Sequence, residues 1–135
     1  MSFDWSHFND VARELIELKD SLTDYEARWR TAIGRSYYAA FGEAYQHLVN
    51  EGVMRREKHD DVHEKVRTTF DRQPQPESQR VGRYLNKLRV LRNIADYDPV
   101  PPYDDDVTFD EFAAQDCLDL ASTVLRIIPK LPRFL

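Results

Sequence analysis

The chain of 135 residues is 41% hydrophobic and 12% aromatic, carries a net charge of -5 at pH 7 and contains one cysteine. This composition excludes a disordered chain, and the lone cysteine excludes an internal disulfide and any zinc site built on cysteines, which suits a reducing compartment. No apolar run approaches the ~20 residues of a membrane span, and the negative charge disfavours indiscriminate nucleic-acid binding, so we expect a single soluble, cytoplasmic domain over residues 1–135.

Five helices are predicted from apolar residues that recur every three or four positions. The first covers residues 6–19. The second opens at a Thr-x-x-Glu capping box that begins with Thr23, and it runs to Asn50, where Gly52 offers the left-handed residue that often ends a helix.

The third predicted helix covers residues 59–70, and a proline-broken connector follows it. The fourth carries a strong apolar repeat from Val81 to Ala95 and ends before Pro99, because the residue that precedes a proline is disfavoured in a helix. A second capping box at Thr108 opens the fifth helix, and Pro129 closes it. These elements predict an all-α, up-and-down bundle of four to five antiparallel helices.

The last two helices carry opposite charges. Between positions 77 and 92 there are five basic residues against Glu77 alone, namely Arg80, Arg83, Lys87, Arg89 and Arg92. Between positions 96 and 119 every charged residue is acidic. Either the two helices neutralise each other as neighbours, or the basic face is kept for phosphates or for an acidic partner.

The second helix contains an arginine in an unusual setting. Arg35 stands in mid-helix among small and aromatic residues, where an unpaired guanidinium would be costly to bury. Asp96 is a candidate partner by residue type. Tyr37, Phe41 and Tyr45, one turn apart on the same helix, indicate core packing.

Three motifs resemble those of a known family: Arg35-Ser-Tyr-Tyr-Ala-Ala-Phe41, His63-x-x-Val66, and Arg92-Asn-Ile-Ala-Asp-Tyr97. Together they resemble the HEPN superfamily of small helical bundles, and most closely a prokaryotic branch with a YYA-x-F helix and an R-N/K-x-A-D-Y segment. The resemblance extends from about Phe3 to Ile128.

This resemblance implies a bundle of four or five helices, commonly a homodimer, in toxin–antitoxin or phage-defence systems, often beside a nucleotidyltransferase-type antitoxin partner. Active members are ribonucleases that need no metal or other cofactor and share an Arg-x(4–6)-His signature. In that signature the arginine can hold the scissile phosphate, while a histidine that titrates near neutral pH exchanges protons with the RNA.

The chain departs from the signature at the histidine. Arg92 and Asn93 match its first half, but Tyr97 follows where a histidine is expected, and a phenol with a pKa near ~10 is a poor general base. His63 is the best substitute by family pattern. His59 and His63 have metal-ligand spacing, yet no third ligand accompanies them, so no metal is expected.

Two groups of candidate residues follow. The catalytic candidates are Arg92, Asn93, Tyr97 and His63, and the structural polar cluster is expected to contain Arg35, Tyr38 and Asp96. We favour a HEPN-like module that binds RNA or a partner protein without the usual catalytic histidine. The alternatives are a metal-independent ribonuclease in which Arg92 works with an unusual base, and a dimeric structural adaptor that does not bind RNA.

Overall fold

The computed structural model describes residues 3–18, 24–56, 61–97 and 110–134. These ranges contain no strand, and their α-helices are α1 (Ser6–Glu17), α2 (Tyr25–Asn50), α3 (Val62–Asp71), α4 (Pro76–Tyr97) and α5 (Glu111–Ile127), with a 3-10 turn at Ile128–Lys130. The prediction of an all-α bundle is confirmed. No described helix has both the length and the apolar character that crossing a membrane requires.

Aspartates cap α2 and α5. In each case the side-chain oxygen accepts a hydrogen bond from the backbone N–H three residues later: Asp24 from Ala27 at 3.0 Å, and Asp110 from Ala113 at 2.9 Å. The predicted caps, Thr23 and Thr108, lie outside the described residues, and their assignment as caps is wrong by one and two positions. A carboxylate suits this place because its charge also interacts favourably with the positive end of the helix.

The predicted end of α2 is confirmed. Gly52 has φ of 73° and donates its N–H to the carbonyl of Val49 at 3.0 Å, while Val53 donates to the carbonyl of Leu48 at 2.9 Å. This closure satisfies carbonyls that a helix otherwise leaves free at its end.

α1 and α4 both run antiparallel to α2. The Trp5 ring, just before α1, lies against Gly42 so closely that any side chain at position 42 would overlap it. At the other end of α2, Arg30 donates to the backbone carbonyl of Ala95 at 2.9 Å and so caps the end of α4.

One consecutive pair of helices departs from strict up-and-down order. The ring of His63, near the start of α3, lies 4.1 Å from that of Phe41, and Phe70, near its end, faces His47 further along α2. α3 therefore runs in the same direction as α2 and begins beside the middle of α2. After α3 the chain reverses direction and enters α4, and the Ser78 hydroxyl of α4 donates to the backbone carbonyl of Phe70 at 2.9 Å.

The core forms around α2, which contributes thirteen of the buried residues. The largest side chains that are almost completely enclosed are Tyr37, Phe70, Ile33, Leu48, Leu88 and Ile128. Because Phe70 is one of them, α3 is anchored to the bundle at its C-terminal end, and this anchor fixes the position of the polar residues along α3.

Candidate functional site

Arg92 joins α4 to α2. Its Nη2 donates to the Tyr38 hydroxyl at 2.7 Å and its Nη1 donates to Asn93 Oδ1 at 2.9 Å. Its Nε lies 3.0 Å from Asp96 Oδ2 in an ion pair, and only 19% of its side chain is exposed. Both Nη atoms therefore have hydrogen-bond partners, whereas the enclosed Nε meets Asp96 as an ion pair without a hydrogen bond. Of the predicted site residues, Asn93, Asp96 and Tyr38 contact Arg92 directly.

Two other predicted site residues, Arg35 and Tyr97, meet this arrangement only through cation–π contacts. Arg35 lies over the rings of Phe8 and Tyr38, 4.9 Å and 5.3 Å from their centroids. It makes no hydrogen bond or ion pair with the described residues, so the predicted pairing of Arg35 with Asp96 is wrong. Tyr97 is 72% exposed at the end of α4, with its ring centroid 6.0 Å from the Arg92 guanidinium.

His63 lies beside this arrangement, on α3. Its ring stacks on Phe41 at 4.1 Å with an interplanar angle of 17°, and it meets the edge of Tyr38 at 6.4 Å. Its Nδ1 is hydrogen-bonded to the Tyr37 hydroxyl. Burial, and then the positive charges of Arg89 and Arg92, lower the pKa of His63.

The contact with Tyr37 determines which nitrogen of His63 carries the proton. Tyr37 is 1% exposed, and burial raises its pKa, so its hydroxyl stays protonated. That hydroxyl has no other hydrogen-bond partner in the described residues, so it donates to Nδ1. With this donor, the neutral form of His63 carries its proton on Nε2, so that Nε2 is a hydrogen-bond donor in this tautomer.

Two arginines that the sequence reasoning did not single out complete the site. Arg67 on α3 and Arg89 on α4 are half-buried, and with Arg92 they lie close enough to Tyr37 to act against the rise in its pKa. Neither makes a hydrogen bond or an ion pair with a described residue, and Arg67 Nε is enclosed without a partner. Helical spacing is the sequence feature that could have pointed to both arginines, because Arg67 follows His63 by four residues and Arg89 precedes Arg92 by three.

We call Arg67, Arg89, Arg92 and His63 the cation cluster. Three of its members are permanently charged, and one of these three, Arg92, is paired with a carboxylate, that of Asp96. Guanidinium groups bind phosphate oxygens through paired N–H donors. The arrangement can therefore hold an anion against the face that α3 and α4 share beside α2.

Within the described residues, the acidic side chains of α5 form no ion pair with the basic side chains of α4. The pairs that α4 does form, Arg80 with Glu77 and Arg92 with Asp96, join groups three and four positions apart in the sequence. Lys87 shares a cleft with Asp116 and Asp119 of α5 without forming an ion pair with either. Lys87 and Arg89 of α4 thus have no ion-pair partner among the described residues.

His59 lies outside the described residues, so its predicted pairing with His63 is not described. Elsewhere, in the ranges 3–18, 24–56, 61–97 and 110–134, no three His, Cys, Asp or Glu side chains gather closely enough to hold a metal ion.

His63 should make the stability of the protein depend on pH. Its pKa in the folded state is below that of the unfolded chain, near ~6.5, so the unfolded chain takes up the proton first as pH falls. The contribution of neutral His63 to the stability of the fold is therefore complete above the pKa of the unfolded chain and is lost progressively as the pH falls below it. We expect the fall in melting temperature between about pH 7 and about pH 5 to become shallower in His63→Gln.

The matched control is His7→Gln, because His7 is exposed beside Asp4 in the first helix turn. Thermal unfolding followed by circular dichroism measures both variants across the pH range. An equal change of slope in the two variants would contradict the assignment to His63.

Comparison of the chain with protein-family models, with curated proteins and with solved structures finds no match. The likeness to HEPN proteins therefore rests on the three sequence motifs, and the chemistry of the site rests on the geometry of its residues.

Proposed function

We propose that the chain is a HEPN-like module that binds single-stranded RNA through its phosphates at the cation cluster, without cleaving it. The observation that supports this most is the pair Arg67 and Arg89. Both side chains are half-buried, both act on Tyr37, and neither forms an ion pair with a described residue; Arg67 Nε is also enclosed without a hydrogen-bond partner. Partly buried positive charge without a partner is costly, and a bound phosphate would offset that cost.

The absence of cleavage follows from the remaining two members of the cluster. Arg92 is held in place by Tyr38, Asn93 and Asp96, so the direction of its guanidinium is set by these contacts and not by a reacting phosphate. In the tautomer in which Tyr37 donates to Nδ1, His63 carries its proton on Nε2, and that nitrogen does not accept a proton from a 2′-hydroxyl.

The double variant Arg67→Gln/Arg89→Gln tests the binding. We expect its Kd for a labelled single-stranded RNA of about 12 nucleotides to rise roughly tenfold or more, since a charge-assisted hydrogen bond contributes about 1.5–3 kcal/mol. The slope of log K against log salt should fall by about 1.4, at ~0.7 for each lost phosphate contact. Fluorescence anisotropy at several salt concentrations measures both quantities.

Arg83→Gln is the control, because Arg83 is exposed on α4 and lies six residues from Arg89, on a different side of the helix. Its Kd should change by no more than about twofold, as for an outlying charge screened by salt. Loss of affinity equal to that of the double variant would show diffuse attraction instead of a site. No RNA binding at low salt would favour the dimeric adaptor.

One observation favours RNA cleavage as a second candidate function. Tyr38 contacts both Arg92 and His63, so the fold brings the signature arginine and a histidine together although they are 29 positions apart in sequence. Incubation of the pure protein with single-stranded RNA, beside Arg92→Ala and His63→Ala, decides the matter. Cleavage that both substitutions abolish would replace the binding proposal with the ribonuclease.

The biological setting is a further part of the proposal, and its support is the motif resemblance. We expect a cytoplasmic homodimer in a toxin–antitoxin or phage-defence system, with a nucleotidyltransferase-type partner encoded nearby. Two well-exposed apolar residues of α4 supply surface for such contacts: Val90 and Tyr97. Sedimentation at micromolar concentration, with and without the product of the adjacent gene, measures both assemblies.

A further inference from the structure

A cavity of about 510 Å³ lies where the start of α4 meets the end of α5. Pro76, Glu77 and Arg80 line it from α4, and Arg126, Ile127 and Lys130 are among the residues that line it from the other side. Its volume is in the range of sites that enclose small organic molecules. Arg80 and Arg92 are twelve residues apart, about 18 Å along α4, so the cavity is separate from the cation cluster.

Positive charge prevails in the lining. Arg80, Arg126 and Lys130 face the cavity together with Glu77, its one acidic residue. Glu77 is already engaged, since its Oε2 lies 3.6 Å from Arg80 Nη1. Lys130 makes no hydrogen bond or ion pair with the described residues, so its ammonium group is free for a ligand.

Hydrogen bonds orient the two guanidiniums. Arg80 Nε donates to the Tyr84 hydroxyl at 3.0 Å, and the Arg80 guanidinium lies 5.2 Å from the centre of the Tyr84 ring. Arg126 Nη2 donates to Thr123 Oγ1 at 3.1 Å. Each arginine keeps further N–H donors beyond these contacts, and a planar fork that is already oriented loses less entropy when it binds an anion.

Besides the uncharged polar residues Gln75 and Thr123, the rest of the lining is apolar. Ile127, Leu131, Pro76 and Pro132 surround the cationic groups. Apolar walls with a few convergent polar groups are typical of small-molecule sites, where the walls bind the body of the ligand and the polar groups select its charge. Inorganic phosphate alone would leave this apolar surface exposed to water.

We propose that this cavity binds a small organic anion. Its phosphate or carboxylate group would contact Arg80, Arg126 and Lys130, and its compact apolar body would pack on Ile127 and Leu131. The inference is independent of RNA binding, because it concerns the opposite end of α4.

Phenyl phosphate and benzoate are the probes, and titration followed by amide NMR shifts is the measurement. We expect at least one of them to shift the amides of Ile127 and Leu131, and the tighter of the two identifies the anionic group. Inorganic phosphate should bind at least about tenfold more weakly than phenyl phosphate, because it lacks the apolar body. Binding of neither organic probe at these residues would overturn the proposal.

Two double variants separate a built site from general attraction. Arg126→Gln/Lys130→Gln should raise the Kd of the bound probe about tenfold or more, since it removes two charged donors from the cavity. Arg72→Gln/Arg83→Gln removes the same charge from exposed positions outside the lining and should change the Kd by about twofold at most. Equal weakening in both would overturn the proposal, and unchanged melting temperatures show that each variant is folded.

Discussion

Replacing Phe70 by alanine is expected to lower the free energy of unfolding by about 3–5 kcal/mol, the usual range for a buried phenylalanine in a well-packed core. Phe70 is fully buried, and its ring contacts those of His47 and Phe134 at 6.4 Å and 5.2 Å. The substitution therefore leaves a cavity between α2, α3 and the C-terminal segment, which no neighbour is free to fill. Urea denaturation followed by circular dichroism measures the change, with two-state unfolding as expected for a small domain.

Phe112→Ala is the matched control. Phe112 is 78% exposed at the start of α5, so the same deletion of a ring should change the free energy of unfolding by less than about 0.5 kcal/mol. Similar losses in both variants would contradict the burial that anchors α3. Because α3 carries both His63 and Arg67, Phe70→Ala should also weaken RNA binding, although residue 70 is not part of the cation cluster.

The helices could be predicted from the sequence because their formation follows from a local repeat. Residues three and four positions apart share a face, so the apolar stripe of α2 is visible without any partner helix. The start of α2 was less predictable, because Thr23 and Asp24 are both good capping residues and the choice depends on where the chain turns. The direction of α3 depends on the path of the connection 51–61, which no periodicity encodes.

In the candidate site, too, contacts within one helix could be predicted from the sequence, whereas contacts between helices could not. Arg92 and Asp96 could be paired from sequence because they are four apart on one helix. The pairing of Arg35 with Asp96 was wrong because it depends on how α2 is rotated about its axis, and that rotation directs Arg35 towards the rings of Phe8 and Tyr38. In the sequence, no motif distinguishes Arg67 and Arg89 from the charged residues around them. Their lack of an acidic partner is a property of three helices together, so only the structure reveals it.

Arg92→Ala and Arg89→Gln are expected to have opposite effects, and this contrast separates the residue that holds the bundle together from the residue that binds phosphate. Arg92→Ala should lower the free energy of unfolding by about 1.5–3 kcal/mol, because it removes charge-assisted hydrogen bonds and leaves the Tyr38 hydroxyl and Asp96 without their partner. Arg89→Gln should change it by no more than about 0.5 kcal/mol, because Arg89 makes no hydrogen bond in the described structure. For RNA affinity the larger loss is expected in Arg89→Gln.

A double-mutant cycle locates the stabilising effect of Arg92 in its contact with α2. Combining Arg92→Ala with Tyr38→Phe should give a coupling energy of about 0.5–3 kcal/mol, as for residues in direct hydrogen-bonded contact. The same cycle with Arg89→Gln in place of Arg92→Ala should give a coupling energy near zero, because Arg89 has no hydrogen bond to Tyr38. If Arg92→Ala leaves stability unchanged and abolishes RNA binding, then its guanidinium is free in solution, and its contacts with Tyr38 and Asp96 do not explain an absence of cleavage.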